Sequence, residues 1–211
     1  ESINLSLNQI DGLVVASFTN DYIFTNLSSQ IVRNLKIDPK RVLDLQMNCA
    51  GVQSALNVAH DMINTNNNIV NVVVVGIAKQ SPYVNPKDPN SAYFFSDCAS
   101  CVVVERSKAG GYEPGLCRVR PKNLEAMRLR GGGAGHRSFQ IDQDKAYYEH
   151  AGMAVWKDTI IEIPSISRAT LSTKGWKMSQ VDLIMMHQAN LRLIEFLMTR
   201  FKMPMSKTVT T

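Results

Sequence analysis

Long apolar runs are missing from this chain of 211 residues. None exceeds four residues, Val72–Val75 being one example. A membrane-crossing helix needs roughly 20, so no membrane association is expected. Nor does a basic stretch followed by an apolar one open the chain, so no secretory signal is expected. Cysteine is scarce: Cys49, Cys98, Cys101 and Cys117 lack the regular spacing of a disulfide framework. That pattern points to a reducing, cytoplasmic setting. Cys98 and Cys101 form one C-x-x-C with no second pair, too few ligands for zinc, and read as buried, inert thiols. Aromatics make up 7% of residues and do not interleave with the basic stretch Arg118–Arg137, which reads as a solvated face rather than a nucleic-acid surface. What the chain does have is 45% apolar and 19% charged residues, enough for a folded core. Its net charge of +5 is compatible with nucleic acid, but also with an acidic carrier protein or a phosphorylated cofactor.

Strand and helix signals alternate. Leu13–Ala16 reads as a buried strand and Ser28–Leu35 as a helix ended by Asp38-Pro39. Val42–Met47 alternates as a strand, with Leu43, Leu45 and Met47 on one side. Val52, Ala55, Leu56, Ala59, Met62 and Ile63 form a helical stripe. Ile69–Ile77 predicts a strand and Pro82–Asn90 a loop. Phe94-Phe95 and Cys101–Glu105 suggest a hairpin around Ser96-Asp97. Residues 109–137 read as loop, including the glycine-rich Gly131–Gly135, which lacks the ending of a phosphate-binding loop. Tyr147–Leu171 predicts a long helix kinked or broken at Pro164, Val181–Met186 a buried strand and Leu191–Phe201 a helix. Such alternation implies an α/β fold with a largely parallel sheet.

A faint repeat runs through the chain. Gln9–Val15 resembles Gln180–Met186, and Leu35-Lys36-Ile37 resembles Phe201-Lys202-Met203. The offset of about 170 residues points to two related halves and a whole protein of roughly 330–340 residues. On that expectation residues 1–108 are the remainder of the first half, and residues 109–211 are a connecting region with the start of the second.

Two residues carry candidate chemistry. Cys49 falls at a strand-to-helix turn, where helix N–H groups favour a thiolate and a neighbouring N–H can hold an oxyanion. The small residues Ala50-Gly51 leave room for a substrate. The alternative is a structural cysteine. His187 follows the strand Val181–Met186, at the end where ligands gather in open α/β sheets. The alternative is a capping or core histidine. His60, His136 and His150 have no comparable setting.

The string Asp44-Leu45-Gln46-Met47-Asn48-Cys49-Ala50-Gly51 resembles the nucleophile turn of the thiolase-fold condensing enzymes, most closely β-ketoacyl-[acyl carrier protein] synthase III. His187-Gln188-Ala189-Asn190-Leu191-Arg192 is very similar to that family's H-Q-A-N-L-R, and Phe95-Ser96-Asp97-Cys98-Ala99-Ser100 looks like its F-G-D-G-A-G turn. The resemblance implies a thiolase-like fold of two pseudo-repeated α/β halves with central mixed sheets between helices, only part of which is present. It implies an acyltransferase in which Cys49 accepts an acyl group from a thioester. His187 would then hold the enolate formed as a malonyl thioester decarboxylates, giving a β-ketoacyl product. It also implies Phe24 and Asn190 in substrate binding, with Phe24 reaching across a homodimer. Lys157, Arg192 and Arg200 would dock an acidic acyl carrier protein. No cofactor or metal is implied; CoA or phosphopantetheine thioesters, such as acyl-CoA, acyl-ACP and malonyl-ACP, are substrates.

This sequence departs from the family pattern in places. Pro89 replaces an arginine often used for CoA, and Ser96, Cys98 and Ser100 replace glycines. The family's second enolate donor, an asparagine in a G-N-T-like turn, and its late oxyanion-hole glycine would fall beyond Thr211. These departures leave open an acyltransferase of secondary metabolism acting on an amine or alcohol, or a non-catalytic partner subunit.

Overall fold

The computed structural model describes residues 5–89, 91–135 and 146–210, so His136 and Arg137 lie outside the described residues. Two compact units result, Glu1–Pro82 with Phe95–Pro114 and Tyr83–Phe94 with Gly115–Thr211.

In the first unit, β1 (Gly12–Ala16) is buried along its whole length. It pairs in parallel with β2 (Arg41–Leu45) on one side and β3 (Asn71–Ala78) on the other, and β4 (Cys98–Glu105) adds antiparallel to β3. A strand covered on both faces needs apolar residues at every position, which is why Leu13–Ala16 is an unbroken run. Helix α1 (Leu27–Leu35) precedes β2, and α2 (Gly51–Thr65) precedes β3. On α2 the buried residues are Gly51, Ala55, Ala59 and Ile63, a stripe of period four made mostly of small side chains. Ala55, Ala59 and Ile63 pack with Val14, Ala16, Ile69, Val72 and Val74 into one core. The close fit extends to Gly76, where a Cβ would come within 2.7 Å of Val52 Cγ2.

The expected hairpin is not formed. Phe94 lies in a turn, with its N–H donating to the Ser91 carbonyl, and β4 pairs instead with β3, Val72–Val74 facing Val102–Val104. Asp97 makes this possible: its carboxylate accepts from the Gln80 and Ser81 N–H groups and from Ser81 Oγ, joining the end of β3 to the start of β4. Because β4 lies at the sheet edge, Cys98 and Cys101 are exposed rather than buried. Their odd spacing also puts them on opposite faces of one strand. At the other edge Val42 and Leu43 are part-exposed, so the alternation in β2 does not mark a buried face.

Asp11 ties the near ends of three strands together. Its carboxylate accepts from Lys40 Nζ at 2.5 Å and from the Val70 and Asn71 N–H groups at 2.8 and 3.1 Å. The Lys40 hydrogen bond, opposed by partial burial, holds its pKa below the ordinary 3.8. Asp97, held by Ser81, is shifted the same way. A depressed carboxylate pKa gives stability that is present above the unfolded-state value and lost as pH falls through the folded one. The urea midpoint should therefore hold steady, for these groups, from pH 7 to about 5 and decline below about 4. In Asp11→Asn the decline should be shallower, with a lower plateau; an equally steep decline would show that Asp11 does not contribute.

In the second unit, β5 (Met127–Leu129) pairs antiparallel with β6 (Tyr148–His150), inside a region expected to be loop and helix. Cross-strand charge explains the pairing, since Glu149 accepts from Arg128 Nε at 2.7 Å and Arg130 Nε at 2.5 Å. Helix α3 (Gly152–Thr173) runs through Pro164, which is buried within it. Glu162 on α3 binds Arg118 at 3.1 Å and Arg120 at 2.8 Å, so the basic stretch is largely paired. Helix α4 (Leu191–Phe201) buries Ile194, Leu197, Met198 and Phe201.

Val181–Met186 is not a buried strand among the described residues. Only Ile184 is bridged, to Thr208, and Met185 is 75% exposed. One neighbouring segment supplies one bridge, and a ladder needs several.

The repeat reaches into backbone detail. Lys36 and Lys202 end α1 and α4 in the left-handed region, with φ of 54° and 57°. In each case the following N–H donates five residues back, Ile37 to Val32 and Met203 to Met198. This is the helix-ending motif usually given to glycine. It also ends α1 at Lys36, two residues before Asp38-Pro39.

Candidate active site

The turn that carries Cys49 is built by local constraints. Strand β2 ends at Leu45, whose carbonyl accepts from Ser17 N–H at the end of β1. Asn48 takes a left-handed φ of 46°, a conformation asparagine tolerates better than most residues. A single 3-10 turn, Asn48–Ala50, then feeds α2. Gly51 opens the helix against β1, where a Cβ would lie 3.1 Å from Ala16 Cβ. Cys49 is thereby held at the helix N-terminus.

The residue presents accessible surface, but partial burial of the thiol raises its pKa above the ordinary 9.0; its own backbone N–H pulls the other way. The helix end and the backbone N–H favour the thiolate, and burial disfavours it.

Phe24 belongs to the same unit. It is 98% exposed, with Tyr22 and Ile23 also exposed beside it. Asp44, in β2, donates no side-chain chemistry to Cys49. Its two oxygens instead accept the Leu27 and Ser28 N–H groups, 2.7 and 3.0 Å away, at the start of α1.

The second unit holds the remaining candidates. His187 is exposed in the loop between Ile184 and α4. Gln188 fixes that loop by donating to the carbonyls of Met186 and Val209. Asn190 caps α4, its Oδ1 accepting from Leu193 N–H at 2.8 Å, which sets where the helix after His187 begins. Lys157 on α3, and Arg192 and Arg200 on α4, are all exposed. The two helices are joined by the Trp156 and Phe196 rings, 6.1 Å apart. A cleft of about 590 Å³ lies at the other end of α2 from Cys49, lined by Leu56, His60, Asn64, Tyr112 and the end of β4. It contains none of the candidate residues. Among the described residues, no three metal-ligating side chains converge, and no helix is long and apolar enough to cross a membrane.

Sequence models of one family match this chain in two places. The model for 3-oxoacyl-[acyl-carrier-protein (ACP)] synthase III matches residues 43–116, which contain Cys49. The model for its C-terminal part matches residues 171–211, which contain His187. Together they cover just over half of the chain. The chain belongs to the 3-oxoacyl-[acyl-carrier-protein] synthase III family.

Relatives of known identity agree with this. The β-ketoacyl-[acyl-carrier-protein] synthase III of Pasteurella multocida is 29% identical over 207 residues, covering 98% of this chain and 63% of the relative. The crystal structure of the Aquifex aeolicus 3-oxoacyl-[acyl-carrier-protein] synthase III matches with a TM-score of 0.85 at 25% identity, covering 99% of this chain and 63% of that one. A priming β-ketosynthase from a polyketide biosynthetic pathway matches with a TM-score of 0.84 at 25% identity, covering 98% of this chain and 61% of its own. The fold is thus thiolase-like. This chain spans less than two thirds of the length of these synthase relatives.

The synthase III resemblance read from three short strings therefore extends over nearly the whole chain. Missing from that reading were the structural roles of Asp44 and Asp97. Both sit inside the quoted strings, but their partners lie 16 or 17 residues away.

Proposed function

We propose that this chain carries the acyl-accepting cysteine and the enolate-stabilising histidine of a β-ketoacyl-forming condensing enzyme. The observation that carries the reading is the placement of Cys49. It sits on a single tight turn at the N-terminus of α2, with the glycine after it packed against the central strand. The Cys49 sulfur attacks the carbonyl carbon of an acyl thioester. The tetrahedral oxyanion collapses, the carrier thiol leaves with a proton, and the acyl group stays on sulfur. A malonyl thioester then loses carbon dioxide. The electron pair of the broken C–C bond forms an enolate, whose oxygen accepts a hydrogen bond from His187. The enolate carbon attacks the acyl carbonyl and the Cys49 sulfur departs.

Residues 1–108 act as the remainder of the N-terminal half, and residues 109–211 as the connecting region and start of the C-terminal half. Phe24 reaches into the acyl site of a second copy, and Asn190 lies along the thioester arm while capping α4. Lys157, Arg192 and Arg200 offer three exposed cations to an acidic acyl carrier protein. The substrates are acyl-CoA or acyl-ACP and malonyl-ACP, no cofactor is consumed, and the setting is the cytoplasm.

Intact-mass spectrometry after incubation with an acyl thioester tests this reading. One acyl mass should appear, on the peptide carrying Cys49, and labelled carbon dioxide should then be released from a malonyl thioester. Acylation without carbon dioxide release would favour transfer to an amine or alcohol instead.

A further inference from the structure

The face of the sheet beneath α2 steps down toward Cys49. On β1 the residue facing the helix changes from Val14 to Ala16, and on β3 from Val74 to Gly76. The two small residues lie opposite each other, Ala16 being the register partner of Gly76. The first turn of α2 rests on that pair. Gly51 meets Ala16, where a Cβ on the glycine would lie 3.1 Å from Ala16 Cβ. Val52 covers Gly76, where a Cβ would lie 2.7 Å from Val52 Cγ2. Cys49 stands just before these contacts, in the single turn that feeds the helix.

The strands are not free to part and make room. Gly76 is paired on both sides, with Ala16 of β1 and with Ser100 of β4. A little further along both strands, the buried Thr19 accepts the Lys79 N–H on its Oγ1 at 2.8 Å. This bond joins the ends of β1 and β3 just beyond the small pair. Val52 is part-exposed, so the helix end is the side that can yield. Its branched Cβ leaves it little freedom to swing the methyl away.

We infer that Gly76 is a positioning residue for Cys49: with no side chain under Val52, it sets how far the first turn of α2, and the sulfur just before it, descends onto the ends of β1 and β3. Its bearing on the reaction rests on the acyl-cysteine reading above. A Cβ at this position would come closer to Val52 than real Cβ contacts do, so the turn would have to rise by a sizeable fraction of an ångström. A displacement of about 1 Å at a reacting group can cost on the order of 10²-fold in rate.

The test compares the unaltered chain, Gly76→Ala, Val52→Ala and the Gly76→Ala/Val52→Ala double variant, each well below its urea midpoint so that only folded protein reacts. Two rates are read by mass on the peptide carrying Cys49. One is acylation by an acetyl thioester, and the other is alkylation by iodoacetamide from neutral to strongly alkaline pH. Gly76→Ala should lower the acylation rate about tenfold. Its alkylation should begin to rise at lower pH, because burial holds the thiol protonated and a sulfur lifted off the strand ends regains water. The double variant lacks Val52 Cγ2 and should return both readouts to within about twofold of Val52→Ala. Ala16→Gly lowers the other half of the small pair, should move the rise to higher pH, and serves if Gly76→Ala does not fold. An unmoved alkylation profile, whether or not the urea midpoint falls, would leave Gly76 a packing residue. A double variant no better than Gly76→Ala would separate Gly76 from Val52; either result overturns the inference. If the unaltered chain takes no acyl group, the acyl-cysteine reading fails by itself, and the alkylation profile still decides whether Gly76 places the sulfur.

Discussion

A chain carrying Cys49→Ala should take up no acyl mass, with the acylation rate lowered on the order of 10³-fold or more. Removing a nucleophile leaves only binding and electrostatic contributions to the reaction. The other cysteines provide an internal control, because Cys98, Cys101 and Cys117 are also free and exposed. An exposed thiol reacts with alkylating agents wherever it sits. Acyl transfer from a thioester should discriminate, because only Cys49 stands at a helix N-terminus after a strand. Acyl label persisting in Cys49→Ala, or mapping to the peptide carrying Cys98 and Cys101, would overturn the assignment. The raised thiol pKa adds a second signature. Burial disfavours the thiolate, so alkylation of Cys49 in the absence of substrate should still be rising at pH 9, where an ordinary thiol is half ionised. A rate that levels off well below pH 9 would mean that something lowers this pKa.

The second large effect is on stability. Arg106 follows β4, and its guanidinium closes the C-terminus of α2 by donating to the carbonyls of Ile63, Asn66 and Ile69. Helix ends leave such carbonyls without intrahelical partners, and the residue after α2, Asn66, is already extended. Charge-assisted bonds to several acceptors make Arg106→Ala cost about 2 kcal/mol. For a chain of this size that corresponds to a melting temperature lower by roughly 4–8 °C. Arg106→Lys should recover part of the loss, since all three bonds converge on one nitrogen, Nη2, and an ammonium also offers three donors. Calorimetry of the three proteins decides it. A shift of under a degree would mean that water substitutes for the guanidinium without loss.

What was legible in the sequence follows from the range of the interactions involved. α2 and α4 were readable because a helix writes its buried face into residues three and four apart, as in Ala55, Ala59 and Ile63. β1 was readable because burial on both faces demands an unbroken apolar run. The partners of β4 were not. Phe94-Phe95 lies close by in the chain, but the valines that pair with Val102–Val104 are about 30 residues away, and alternation says nothing about which strand is opposite. The β5–β6 pair was missed for a related reason. Three-residue strands have no period to detect, and the pair is held by Arg128, Arg130 and Glu149 across 20 residues of chain. Val181–Met186 shows the converse, since an apolar run can register a strand's preference without supplying the neighbours a ladder needs. At the site, the strand-to-helix turn and the Asp44–Gly51 string singled out Cys49 as a candidate. The thiol's raised pKa depends on how much water reaches the sulfur, which no string of letters encodes.

The contact between Gly51 and Ala16 bears on how such signatures persist. The last letter of Cys-Ala-Gly answers to packing as well as to chemistry, because a Cβ there would lie 3.1 Å from Ala16 Cβ and the helix and central strand would have to part by a few tenths of an ångström. Selection can therefore retain Gly51 in copies of this fold that have lost the reaction. In a library randomised across residues 48–51, Gly51 should be recovered by a screen for folding alone, whereas Cys49 should be recovered only by a screen for acyl transfer.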